Sequence, residues 1–96
     1  MPFTGFRPYS FSPVSIRTNA PAAPGVYGIS NAQGWIFVGA TNNIQAALLE
    51  HRGHGGSAIL AQSPTGFTYE ACDPSQFENR RDMLIAELRP SCRGAA

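Results

Sequence analysis

The chain has 96 residues, 43% hydrophobic and 14% charged, which fits one small domain and excludes a disordered chain. Seven arginines face six acids with no lysine, so the net charge of +1 gives no global electrostatic case for nucleic acid, though a local patch stays open. No apolar run approaches the roughly 20 residues that cross a bilayer. The start, Met1 to Arg7, lacks the apolar stretch of a signal peptide, so the expectation is a cytoplasmic protein with reduced thiols and no membrane partner.

Residues 1–23 read as an aromatic, proline-rich arm carrying Phe3, Phe6, Tyr9 and Phe11, too many rings for a free tail. Ser12-Pro13-Val14-Ser15-Ile16 predicts a short helix with Ser12 as cap and Pro13 in its first turn, packed on the domain. Gly25 to Ser30 predicts a strand, Asn31 to Gly34 a turn, and Trp35 to Gly39 a second strand, antiparallel to the first. That second strand is apolar throughout, which predicts a central strand or one covered on both faces.

A helix opens near Asn42, with Thr41 or Asn42 as cap and Gln45 at the capping-box position if Asn42 is the cap. Ile44, Leu48 and His51 share one face, and Arg52-Gly53 ends the helix. A glycine-rich break covers 53–56, a further helical turn lies within 57–62, and Ser63-Pro64-Thr65-Gly66 is a turn. Phe67 to Cys72 alternates as a half-buried strand. Asp73-Pro74-Ser75-Gln76 then starts a helix, Gln76 taking the capping-box position, that runs to about Leu88 with Phe77, Leu84 and Leu88 on one side and Met83 and Ile85 flanking. The sum is an α+β fold: a small three-stranded antiparallel sheet flanked by helices, spanning 24–93, with a tail at 94–96.

Several residues are distinctive in combination. Pro24-Gly25-Val26-Tyr27 stands a short turn ahead of Phe37-Val38-Gly39; Asn43-Ile44 leads into a helix ending Leu48-Leu49-Glu50-His51; the last helix carries Leu84-Ile85 and then Pro90. This ordered set resembles the GIY-YIG nuclease family over most of the chain. The resemblance implies the family's fold and metal-dependent cleavage of phosphodiesters. A glutamate of the last helix holds one divalent ion, a tyrosine of the first motif half helps activate water, and a second tyrosine, an arginine and a histidine hold the phosphate. A carboxylate suits a hard cation, and a guanidinium fork suits phosphate.

Carried over by position, the catalytic set falls on Tyr27, Phe37, Ala47, His51 and Arg81. Tyr27 and His51 are kept. Phe37 lacks the hydroxyl of the second tyrosine, Ala47 replaces the arginine, and Arg81 stands three residues before Leu84, where the metal-binding glutamate is expected. A late asparagine falls on Arg93. Glu78, three residues before Arg81, is the best substitute ligand. Asp82 is expected to point away, because adjacent helix positions differ by about 100°. Gly39, Asn43, Arg52 and Arg80 are the candidate nucleic-acid contacts.

Each position also has a plainer reading: Tyr27 as a strand aromatic, His51 as a residue favoured at a helix C-terminus, the arginines as solvated surface. His51 and His54 with Cys72 and Cys92 are the right donor types for zinc, but the cysteines are not paired as C-x-x-C. The leading expectation is a catalytically inactive GIY-YIG-like domain that binds DNA or a protein through the former active-site face. It needs no cofactor. The alternatives are an active endonuclease using Mg²⁺ or Mn²⁺ in a rewired site, and a structural or self-association module contacting through its aromatic arm.

Overall fold

The computed structural model describes residues 9–53, 61 and 63–90. In chain order they form β1 (Tyr9–Ser10), α1 (Pro13–Asn19), β2 (Gly25–Asn31), β3 (Gly34–Thr41), α2 (Ile44–Gly53), β4 (Gly66–Ala71), a 3-10 turn (Pro74–Gln76) and α3 (Phe77–Leu88). The fold is α+β with one antiparallel sheet. Its order is β1-β4-β2-β3, so a fourth, two-residue strand from the arm joins the three expected. It is invisible in sequence because it exists only through pairing, Tyr9 opposite Phe67 and Ser10 opposite Gly66. The calls on Phe3, Phe6 and 57–60 lie outside the described residues.

Local chemistry explains most boundaries. Ser12 Oγ accepts from the Ser15 N–H at 3.2 Å and Pro13 opens α1. Asn31 Oδ1 accepts from the N–H groups of Gln33 (2.8 Å) and Gly34 (3.0 Å), and Gly34 takes a φ of 150° that closes the hairpin. Asp73 Oδ1 accepts from the Ser75 N–H at 2.9 Å and starts the 3-10 turn, while Gln76 makes no capping bond. The cap of α2 is one residue later than expected. Thr41 Oγ1 accepts from the Asn43 N–H, and Asn43 Oδ1 in turn accepts from the Ala46 N–H at 3.0 Å. Gln45 therefore closes no capping box; its amide donates to the carbonyls of Arg17 (3.3 Å) and Ala20 (3.1 Å), tying α2 to the end of α1.

The sheet carries a core on each face. Ile16, Tyr27, Ile29, Ile44, Leu48 and Phe67 pack together under α1 and α2. Val26, Val38 and Leu84 pack on the side of α3, with Trp35, Cys72, Ile85 and Leu88 around them. Val26 and Tyr27 are neighbours in β2 and so serve opposite faces. Strand β3 is apolar because Ile36 to Gly39 are covered on both sides, not because it is central: it pairs only with β2 and forms a sheet edge, and β2 is the strand flanked by β3 and β4. Helix α3 buries Leu84, leaves Met83 52% exposed, and ends at Arg89, whose φ of 50° is left-handed. No helix among the described residues is long and apolar enough to cross a membrane.

Candidate functional site

The register of the hairpin builds the first half of the site. Tyr27 lies directly opposite Gly39. A Cβ at Gly39 would stand 2.8 Å from Tyr27 Oη and 2.8 Å from Phe37 Cε2, so the absent side chain is what admits the Tyr27 ring. His51, in the last turn of α2, then meets Tyr27: Oη and Nε2 are 2.7 Å apart. Phe37 completes the cluster, its ring centroid 5.2 Å from His51 and 6.0 Å from Tyr27. All three are buried.

Burial holds this pair neutral. It pushes the Tyr27 hydroxyl far above the usual phenol range, and the Glu50 carboxylate adds to the rise. It pushes His51 down, against a smaller opposing pull from Glu50. A neutral imidazole has one donor and one acceptor nitrogen. Whichever of the two Nε2 is, His51 Nδ1 is left buried with no partner among the described residues. A phenol so placed is a poor base, because nothing in contact with it stabilises a phenolate.

The second half of the site is a cleft of about 360 Å³ at the β3 edge. Tyr27, Phe37, Gly39 and Ala40 line it from the sheet, and Arg81, Asp82 and Ile85 from α3. Four of the candidate positions, Tyr27, Phe37, Gly39 and Arg81, thus share one cavity. Asp82 corrects the expectation that it would point elsewhere. Ile85 follows Arg81 by four residues and Asp82 by three, so both flank the helix stripe that faces β3. Arg81 Nε lies 3.5 Å from Asp82 Oδ1, and the two side chains are 41% and 63% exposed.

The remaining candidates sit apart from this cavity. Ala47 is half-buried against the core beneath α2. Asn43 is spent on capping that helix. The Arg52 guanidinium lies 6.0 Å from the Phe11 ring centroid, at the limit of a cation–π contact. Arg80 meets Glu70 fork to fork, with Nε–Oε2 and Nη2–Oε1 both 2.8 Å. This pair spans α3 and β4, and nothing in the local sequence announces it. Glu78 is exposed in the first turn of α3 and does not line the cleft. For zinc, His51 packs on the α2 side of the sheet and Cys72 on the α3 side. His54, Cys92 and Arg93 lie outside the described residues.

The metal that the family resemblance implies is a hard cation that needs about six oxygen ligands. The described lining of the cleft supplies one carboxylate, Asp82, beside a guanidinium that would repel the ion, and the Tyr27 hydroxyl is held by His51. These residues do not fit a divalent metal.

No protein-family model and no curated protein matches the chain. Solved structures of the GIY-YIG N-terminal endonuclease domain of UvrC from Thermotoga maritima do. A point mutant of it bound to the catalytic divalent cation superposes with a TM-score of 0.69 at 17% identity, over 83% of this chain and 96% of that one. The magnesium-bound form gives 0.67 at 20% identity, over 79% and 92%. The chain therefore has a GIY-YIG-like fold.

Proposed function

We propose that this chain is a GIY-YIG-fold domain that does not hydrolyse phosphodiesters and that binds a nucleic-acid or protein partner through the cleft at the β3 edge. The observation that carries this reading is Arg81. A guanidinium lines the cleft at the position where the family resemblance asks for a metal-binding carboxylate. Its exposed 3.5 Å pair with Asp82 is weak enough to yield to a phosphate or carboxylate from a partner. Phe37 and Ala47 point the same way, each lacking the polar group the family uses. The Tyr27–His51 pair, buried and neutral, serves as the floor of the cleft.

The competing reading, an active divalent-metal endonuclease with a rewired site, is favoured by that same retained pair, and it would now lean on Asp82 and not on Glu78. Binding of labelled DNA across a salt series, in the parent and in Arg81→Ala, tests the proposal. Salt-sensitive binding weakened several-fold by Arg81→Ala is expected for a nucleic-acid partner. Binding that ignores Arg81 would remove the cleft from the account.

A further inference from the structure

A second concavity, of about 690 Å³, lies at the other end of the seam between β3 and α3. Trp35 and Gly34 line it from the strand, Leu88 and Arg89 from the helix, and Gln33 and Ser63 beside them. The two cavities run end to end. β3 supplies Phe37 to Ala40 to the first and Gly34 and Trp35 to the second, while α3 supplies Arg81 to Ile85 and then Leu88 and Arg89. The strand and the helix are thus traversed in opposite senses. Trp35, Ile85 and Leu88 pack around one cluster between them.

Two features mark the second cavity as more than a surface dip. Ser63 (φ 54°) and Arg89 (φ 50°) are the non-glycine residues with positive φ among the described residues, and both line it. The left-handed position after a helix is usually glycine. An arginine there is strained, and such strain concentrates at binding sites. In addition, Arg81 and Arg89 are eight residues apart on one helix, which sets their backbones about 12 Å apart along its axis.

We propose that the seam from Arg81 to Arg89 is a track for single-stranded nucleic acid, with the two guanidiniums on backbone phosphates and Trp35 stacking on a base. This rests on the nucleic-acid form of the reading above and adds the class of strand and a second contact. Single strands are held by cationic grooves with aromatic platforms. A span of about 12 Å matches three to four stacked nucleotides at roughly 3.4 Å each. The base faces of a duplex are stacked on one another and closed to Trp35 unless a base is flipped out. The Arg89 charge also offsets the negative end of the α3 dipole, which by itself would repel a phosphate.

Trp35 is the chain's one tryptophan, so its emission reports the track directly. The whole chain is titrated with a short oligo(dT) and with a duplex of equal length. Saturable quenching by the single strand, with the duplex several-fold weaker, is expected. Arg89→Gly should weaken the single strand about tenfold, as one lost charge-assisted contact does. It should also reduce the salt slope by about 0.7. Glycine accepts the left-handed backbone, so the melting temperature of this variant should hold or rise, separating lost affinity from lost fold. Absence of quenching, or parental affinity in Arg89→Gly, overturns the track. If Arg81→Ala weakens binding while Arg89→Gly and the Trp35 emission stay silent, the track falls and the cleft stands. If Arg81→Ala is silent as well, both fall.

Discussion

Tyr27 Oη and His51 Nε2 form a buried 2.7 Å hydrogen bond between the middle strand of the hairpin and the last turn of α2. It joins elements 24 residues apart and fixes the floor of the cleft. Removing one partner leaves the other unpaired in the core. Tyr27→Phe should therefore cost about 1–3 kcal/mol of stability, the desolvation penalty of an unmade bond. Tyr27→Phe combined with His51→Leu should cost less than the two single changes together. Urea unfolding of the four proteins checks this. Additive costs would mean that the bond contributes nothing.

The same histidine sets a pH dependence. Burial lowers its folded pKa below the unfolded value near 6.5. The unfolded chain then binds more protons in the interval between the two, so stability rises with pH there. The His51 contribution is complete above about pH 6.5 and is lost as pH falls toward the folded pKa, with a slope of at most about 1.4 kcal/mol per pH unit. Melting temperatures from pH 7.5 to 5 should fall in the parent and flatten in His51→Gln over that window.

Gly39 and Gly25 should both reject a side chain, to different degrees. A Cβ at Gly39 meets the ring atoms of Tyr27 and Phe37 at 2.8–3.0 Å, so two side chains must shift and the His51 bond with them. Gly39→Ala should lose about 1–3 kcal/mol. At Gly25 the obstacles include backbone, the Glu70 carbonyl and the Ala71 Cα of β4, which cannot swing aside. Gly25→Ala should lose more than Gly39→Ala in the same unfolding experiment, and should disturb the β2–β4 pairing in amide exchange.

Arg80 should behave as a strut. Its two-bond contact with Glu70 joins α3 to β4, and both side chains are only about a fifth exposed. Arg80→Ala should destabilise by roughly 1–2 kcal/mol, and pairing it with Glu70→Ala should recover part of that loss. Nucleic-acid affinity should be insensitive to Arg80→Ala under conditions where the variant is folded.

The hairpin, the long helices and the caps at Ser12 and Asp73 were legible in the sequence because each is written in neighbouring residues. What was not legible depends on long-range partners. The pairing of Tyr9 with Phe67, the bonds from Gln45 to α1 and the Glu70–Arg80 contact each join residues whose proximity the fold creates. The cap of α2 slipped by one residue because Thr41 turned to serve the Asn43 N–H, leaving Asn43 to cap. Asp82 was misplaced by treating a helix face as a line, where the cleft spans the width of two side chains.

The place of Arg81 is open to a gain-of-function check. Arg81→Glu would set a second carboxylate beside Asp82. Mn²⁺ should raise the melting temperature of this variant, reversibly on chelation, and leave the parent unchanged. An indifferent variant would mean that position 81 does not stand where a metal could be held.

The most direct test of the central claim is incubation of the folded chain with supercoiled and single-stranded DNA, with Mg²⁺, Mn²⁺ or chelator, beside Tyr27→Phe. The account predicts intact DNA in every condition. Metal-dependent cleavage by the parent that Tyr27→Phe abolishes would contradict it and establish a working, rewired nuclease site.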